Sequence, residues 1–142
     1  MSQFHLKIIT PRKIVLEQDA DSVTVPSADG EITILSRHEN LFSLLVEGMV
    51  KIKKSIHEDF LAIGGGYVET NGKEVNILVS KAYNQNEIDR SVTEKAIEEA
   101  KKILKSSFDE KQRLEAGALL RRSLVELKLL KKKAPRSFSE NA

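Results

Sequence analysis

Three consecutive glycines, Gly64-Gly65-Gly66, and three histidines, His5, His38 and His57, are the residues whose type and spacing could do chemistry. A glycine run can cradle phosphate with its backbone amides, but it then needs a Lys-Ser/Thr at its end and a helix behind it. Here Tyr67-Val68-Glu69 follows, with more strand-like sequence beyond, so the run predicts a bulge or a tight strand-to-strand bend. No two histidines stand at i,i+3 or i,i+4, and none has carboxylates at a metal-ligand spacing, so no metal site is expected. His5 falls on the opposite strand face to Phe4 and Leu6 and reads as exposed; His57 sits beside a turn signal. His38 stands in a polar tip, Ser36-Arg37-His38-Glu39-Asn40, between apolar runs. It reads equally as a turn residue or as a contact residue for a partner. No Ser-His-Asp set or paired-carboxylate site can be placed, so no catalytic residue and no cofactor are expected.

The other candidate group is cationic. Arg121, Arg122, Lys128 and Lys131–Lys133 lie near the C-terminal end. They fit a solvated helix face, a nucleic-acid surface or a contact for an acidic protein. Nucleic acid is disfavoured, because the segment is only mildly basic, aromatics are scarce and no recognition motif appears.

The elements that must position these residues come in two kinds. Of the 142 residues, 40% are hydrophobic and 31% charged, enough to bury a core and remain soluble. There is no cysteine, which removes disulfides and thiolate metal sites and suits a reducing compartment. The N-terminus lacks the apolar h-region of a signal peptide. The longest apolar runs fall far short of the ~20 residues a spanning helix needs. Residues 1–85 carry a net charge of −2 and residues 86–142 a net charge of +4.

Residues 4–80 have the period of short strands. Apolar and polar residues alternate at Phe4-Leu6-Ile8, Val23-Val25, Ile32-Ile34 and Val50-Ile52, with branched runs at Phe60–Ile63 and Val75–Val79. Turn signals stand between them at Asp29-Gly30, Gly48 and Asn71-Gly72. This spacing predicts a sandwich or barrel.

Near residue 86 the period becomes helical. Ser91-Val-Thr-Glu94 reads as a capping box, followed by a stripe of Val92, Ala96, Ile97, Ala100, Ile103 and Leu104, with Glu98–Lys102 as a supporting pair. Ser106-Ser-Phe-Asp109 breaks the pattern, and Asp109 can cap a second helix from about 109 to 132 whose stripe is Leu120, Leu124, Leu127 and Leu130. The short break predicts an antiparallel hairpin. The chain therefore divides into a β-domain over 1–85, a helical hairpin over 86–134 and a disordered tail over 135–142 that begins at Pro135.

From Phe4 to about Leu130 the sequence resembles the epsilon subunit of bacterial F-type ATP synthases. The resemblance rests on Phe4-His5-Leu6 with Thr10-Pro11, on Val23-x-Val25-Pro26-x-x-x-Gly30-Glu31-Ile32-x-Ile34-Leu35, and on His38 with Leu41. It continues through Glu47-Gly48-Met49, Gly65-Gly66-x-Val68-Glu69 and Val75-x-Ile77-Leu78. It implies a flattened antiparallel β-sandwich of about ten strands followed by an antiparallel α-helical hairpin. It further implies a non-catalytic rotor subunit of the central stalk, bound to the gamma subunit and resting on the c-ring through Asp29, Gly30, Glu31 and His38. Such a subunit couples proton-driven rotation to ATP synthesis. Its hairpin can extend so that Arg121, Arg122 and Lys128 meet the catalytic beta subunits and restrain hydrolysis. Membrane association is implied only through the complex, at the cytoplasmic face of the bacterial plasma membrane, and no nucleic-acid partner is implied.

Two features depart from the family. The usual Pro-Gly before the histidine is replaced by Ser36-Arg37, and the Ala-Pro after it by Glu39-Asn40. Of an ATP-binding motif found in some members, Ile88, Asp89 and Arg122 remain, but Val92 and Thr93 replace Arg-Ala, and Glu99 and Glu126 replace cations. Weak or absent ATP binding at that motif is the expectation. A free-standing ligand or nucleotide sensor of the same sandwich-plus-hairpin form is the alternative reading.

Overall fold

The structure, a computed structural model, describes residues 2–37 and 40–133. His38 and the tail 135–142 lie outside the described residues. The strands are β1 (Phe4–Ile9), β2 (Ile14–Ala20), β3 (Ser22–Ser27), β4 (Gly30–Leu35), β5 (Leu41–Leu45), β6 (Gly48–Lys54), β7 (His57–Ile63), β8 (Gly66–Thr70), β9 (Glu74–Val79) and β10 (Ala82–Tyr83). A single 3-10 turn, Gln85–Glu87, leads to α1 (Arg90–Ser106) and α2 (Glu110–Leu130).

The hydrogen-bonded order is β10-β7-β6-β3-β5-β8-β9-β1-β2, with β4 on the other side of β3. Only the pair Ser27↔Leu45 joins β3 to β5, so the sheet folds there into two layers. One layer is β10-β7-β6-β3-β4 and the other is β5-β8-β9-β1-β2. All pairs are antiparallel except β1 with β9, which run parallel. These two strands lie far apart in the chain, so no short hairpin forces them antiparallel.

The alternation read from sequence fixes which residues meet between the layers. Phe4, Leu6, Ile8, Val23, Val25, Ile34, Val50, Ile52, Val68 and Ile77 are all at most 2% exposed. Each such side chain contributes about 1.5–3 kcal/mol by leaving water. The glycine run is a bend, as its sequence implies. A Cβ on Gly66 would collide with the Leu78 carbonyl oxygen, and one on Gly64 with the Ser80 hydroxyl. Asn71-Gly72 turns β8 into β9, with Gly72 at φ 91° and Asn71 Oδ1 accepting the Lys73 and Glu74 amides at 3.0 and 2.9 Å. Between β6 and β7, Ser55 takes φ 55°, and the Asp21 carboxylate accepts its amide at 2.6 Å. That bond, with one from Gln3, holds the Asp21 carboxyl below the usual aspartate range.

The helices depart from their sequence reading in register. The cap of α1 is Asp89, whose carboxylate accepts the Val92 amide at 3.2 Å, and not Ser91. Asp89 lies two residues earlier, so the helix starts before the expected box. The capping box instead closes on the 3-10 turn, between Asn84 and Glu87. Val92 is 62% exposed, and Thr93 takes its place on the inner face at 2%. On α2, Leu124 is 46% exposed, whereas Ala116, Ser123 and Leu129 are buried. Thr93, Ala116 and Ser123 are small enough for packed elements to approach closely, and Leu129 is the one large side chain among them. Asp109 holds the N-cap place of α2 without a side-chain bond; the Ser107 hydroxyl donates to Gln112 and accepts the Asp109 amide instead. Glu98 and Lys102 do not form an ion pair among the described residues.

Candidate functional site

The two outer faces of the sandwich carry the features that bear on function. On the β5-β8-β9-β1-β2 layer, register places Leu44 opposite Tyr67, Tyr67 opposite Leu78, Leu78 opposite Ile9, and Ile9 opposite Ile14. These five form one cross-strand row on the face away from the core. Leu44 is 61% and Ile14 52% exposed, and the other three are half-buried. Phe42, 62% exposed, adds to the row by packing on Tyr67 with ring centroids 5.0 Å apart. A shallow apolar depression runs beside it, lined by Pro11, Gly65, Gly66, Leu78 and Val79. Two residues along, the next row reads Phe42, Glu69, Asn76, Lys7 and Glu17, polar on every strand except β5. A contiguous apolar stripe with a polar border is the signature of a docking surface.

The other outer face is covered. Ala62 on β7 points away from the core yet is only 1% exposed, because α2 lies over β6 and β7. The cover is attached through polar groups. The Glu126 carboxylate accepts from the Tyr83 hydroxyl at 2.6 Å and from the Thr93 hydroxyl at 3.0 Å, tying α2 to β10 and to α1. Burial, and then the Glu126 carboxylate, push the Tyr83 hydroxyl well above the usual phenol range, so it stays a proton donor. The Gln85 amide donates to the carbonyls of Leu129, Lys132 and Lys133 and so satisfies the open end of α2. Lys132 places its ammonium 5.0 Å from the centre of the Phe60 ring. At the far end of the hairpin, Arg113 donates to the carbonyls of Leu104 and Ser107.

The residues singled out from sequence fall into three places. Asp29, Gly30 and Glu31 form the exposed β3–β4 turn, with Gly30 at φ 119° and the Asp29 amide donating to the Ser27 hydroxyl at 3.0 Å. The segment that leads to His38 leaves the opposite end of β4. There Ser36 donates to the Gln3 carbonyl and Arg37, at φ 64°, donates its amide to Gly72. Six residues of strand at ~3.3 Å each separate the two ends by roughly 20 Å. One small contact cannot include both; a partner would have to run along β4. On α2, Arg121 is exposed, Arg122 lies near the Tyr83–Glu126 pair, and Lys128 faces a cleft beside β6. Asp89 is engaged as a helix cap, and Ile88 is half-buried before it. Because the helices run antiparallel through the Thr93–Glu126 contact, Asp89 and Arg122 lie on opposite sides of it. They are about two turns, or ~11 Å, apart along the axis.

Three features escaped the sequence reading. The apolar row had a signal: Leu41–Leu45 and Val75–Val79 are apolar at both parities, which means both faces of the strand are apolar. The clamp at Glu126 had none, since its partners are 33 and 43 residues away. The third is His5, whose ring nitrogens lie 2.7 Å from Glu17 and 3.2 Å from Asp19 on β2. The bonds to Glu17 and then Asp19 raise the His5 pKa above 6.5, and the His5 bond holds Glu17 below 4.5.

Residues 3–85 match the family of the ATP synthase delta/epsilon chain β-sandwich domain. The chain belongs to the ATP synthase delta/epsilon family. It is 36% identical over 110 residues to the ATP synthase epsilon chain of Halalkalibacterium halodurans, covering 78% of this chain and 83% of that one. It is 33% identical over 125 residues to the epsilon chain of Chloroflexus aggregans, covering 88% and 90%. Among solved structures it is similar to a chain of the Euglena gracilis mitochondrial ATP synthase with its c-ring, at TM-score 0.71 and 24% identity over 92% of this chain and 79% of that one. It is also similar to a chain of the Tetrahymena thermophila mitochondrial ATP synthase central stalk and c-ring, at TM-score 0.60 and 14% identity over 92% and 98%. Those two likenesses are of fold. The matched residues are the ten-strand sandwich of this chain, and its two helices follow them.

Proposed function

We propose that the chain is a non-catalytic rotor subunit of a proton-driven F-type ATP synthase, seated in the central stalk through its apolar outer row. The carrying observation is the line Leu44-Tyr67-Leu78-Ile9, left open on one face of the sandwich while the helical hairpin covers the other. Family membership supports the machine, and the open row supports the seat. The gamma subunit is the partner we assign to that row. The edge formed by β4, with Asp29, Gly30 and Glu31 at one end and the His38 segment at the other, is assigned to the c-ring. A rotor part must stay bound while it passes on torque, and a broad apolar seat contributes more to binding than a few exposed ion pairs, which contribute ~0–1 kcal/mol each.

The hairpin over 86–134 is the regulatory element in this reading. Closed as it stands, it keeps Lys128 at the cleft beside β6; extended, it would present Arg121, Arg122 and Lys128 to acidic surfaces of the beta subunits. No described helix is long and apolar enough to cross a membrane. In this reading membrane association comes through the complex, on the cytoplasmic face. The test is co-expression of the full chain with gamma and c subunits. Recovery of a complex with the wild-type chain, and its loss with Leu44→Asp, is expected. No recovery of either partner with the wild-type chain would sink the reading.

A further inference from the structure

Two turns at one end of the sandwich are built against local preference. Ser55-Ile56 is the two-residue loop between the paired Lys54 and His57. Ser55, at φ 55°, holds a place where a hairpin loop prefers glycine. Ile56 holds the turn tip, usually a polar position, and is 90% exposed. Arg37, at φ 64°, follows the end of β4. Arg37 and Ser55 are the two non-glycine residues with positive φ among the described residues. One set of bonds holds both turns. The Asp21 carboxylate accepts the Ser55 amide at 2.6 Å and the Gln3 side-chain amide at 3.1 Å. The Gln3 carbonyl accepts the Ser36 hydroxyl, and the Arg37 amide donates to the Gly72 carbonyl at 3.0 Å. Left-handed residues of this kind cost about 1–3 kcal/mol each and persist where their surroundings over-determine them, as at ligand clamps and switch regions. The Asn71-Gly72 turn beside Arg37 reverses the chain with residues that suit it, so the end itself does not impose the strain.

The turns present an apolar centre with a basic rim. Leu35, the last residue of β4, is 56% exposed. Ser22 pairs with both Leu35 and Lys53, so β4 and β6 flank β3 and stand ~10 Å apart at this end. Arg37, Lys53 and Lys73 are exposed around the two apolar side chains, and none of them forms an ion pair among the described residues. Of the carboxylates here, Asp21 holds the turns, Glu58 pairs with Lys51 at 3.6 Å, and Glu74 is exposed beside Lys73. We infer that this end of the sandwich is a footing on the c-ring, with Ile56 and Leu35 entering an apolar recess between ring loops and Arg37, Lys53 and Lys73 meeting carboxylates at its border. The footing rests on the rotor reading, which assigns the edge of β4 to the ring, and it adds the β6–β7 turn, distant from β4 in sequence, to that contact. A turn whose backbone is held in advance loses little freedom on docking, which is what its strain provides.

Maleimide labelling of Ile56→Cys tests the inference, because the chain has no cysteine of its own. It is measured in the free full chain, in its complex with gamma, and in the complex with gamma and the c-ring. Fast labelling is expected in the first two, and labelling slowed roughly tenfold or more in the third, since an interface core excludes the reagent. Phe108→Cys, 97% exposed between the two helices, should label alike in all three. Circular dichroism of each variant verifies the fold. Adding Lys53→Glu and Lys73→Glu to Ile56→Cys should bring the fast labelling back in part; slowing that is unchanged would overturn the basic rim. Slowing by gamma alone would give this end to gamma and overturn the inference. Equal labelling in all three, with the c-ring bound, would overturn it and leave the rotor reading standing. A chain that assembles with neither gamma nor c subunits would sink the rotor reading, and the footing with it.

Discussion

The two outer faces of the sandwich are built by opposite means. One is an uncovered apolar row across β5, β8, β9, β1 and β2; the other is covered by a helical hairpin held through hydroxyls, one carboxylate, one amide and one ammonium on a ring. Apolar burial is non-directional and grows with area, so the open row suits a partner that arrives once and stays. Hydrogen bonds exchange with water at a net cost of only about 0.5–1.5 kcal/mol each. A cover attached that way is lifted at a modest polar cost, and the apolar groups it uncovers include Leu129 and Ala62. The difference separates a permanent seat from a reversible lid.

The strongest way to break the open face is from within. Gly66→Ala drives a Cβ into the backbone of Leu78, in the middle of the row, where no flexible side chain can yield. Overpacking of this kind costs about 1–3 kcal/mol and more where backbone is the obstacle. Chemical denaturation should show a loss at the upper end of that range, with β8–β9 disturbed and the helices intact. Next comes Leu44→Asp. Leu44 is 61% exposed, so stability should barely change, whereas affinity for the stalk partner should fall by about 2 kcal/mol or roughly thirtyfold, measured by surface binding.

The lid offers a third test. Glu126→Ala leaves the buried Thr93 hydroxyl and the Tyr83 hydroxyl without their acceptor, a loss of about 1–3 kcal/mol. Hydrogen exchange in α2 should quicken by roughly tenfold while β1, β8 and β9 keep their protection. Exchange that quickens equally throughout would mean that lid and sandwich open together. The smallest effect belongs to His5, on the border of the open face. Its raised pKa means that the charged form contributes stability in full below 6.5 and loses it as pH rises through the raised value. Glu17, held low, contributes above 4.5 and loses its share as pH falls through its lowered value. His5→Gln should therefore lower the melting temperature slightly between those limits and converge with the wild type at alkaline pH.

Much of this contrast was legible in the chain, but unevenly. Inward-facing strand residues such as Val23, Val25, Val50 and Ile52 follow a strict period of two, and that period dictates the core. The bend at Gly64–Gly66 and the turn at Asn71-Gly72 are local backbone requirements written in single residues. Helix register was not legible, because Val92 and Leu124 look as apolar as any core residue, while Thr93 and Ser123 take the inner positions for their size and bonding. The edge strand β2 was missed for a related reason: Glu17, Gln18 and Asp19 serve the polar border and break the apolar pattern. Contacts made across the chain, such as Glu126 with Tyr83, depend on how helix and sheet dock, and no local pattern encodes that.

The central claim is that the open apolar row is the seat and the hairpin-covered face is not. The chain has no cysteine, so a single reporter can be placed without background. Maleimide labelling of Leu44→Cys, in the free full-length chain and in the complex with the gamma subunit, measures the claim directly. Rapid labelling in the free chain and near-complete protection in the complex is the predicted result. Equal labelling in both, with the complex intact, would contradict it.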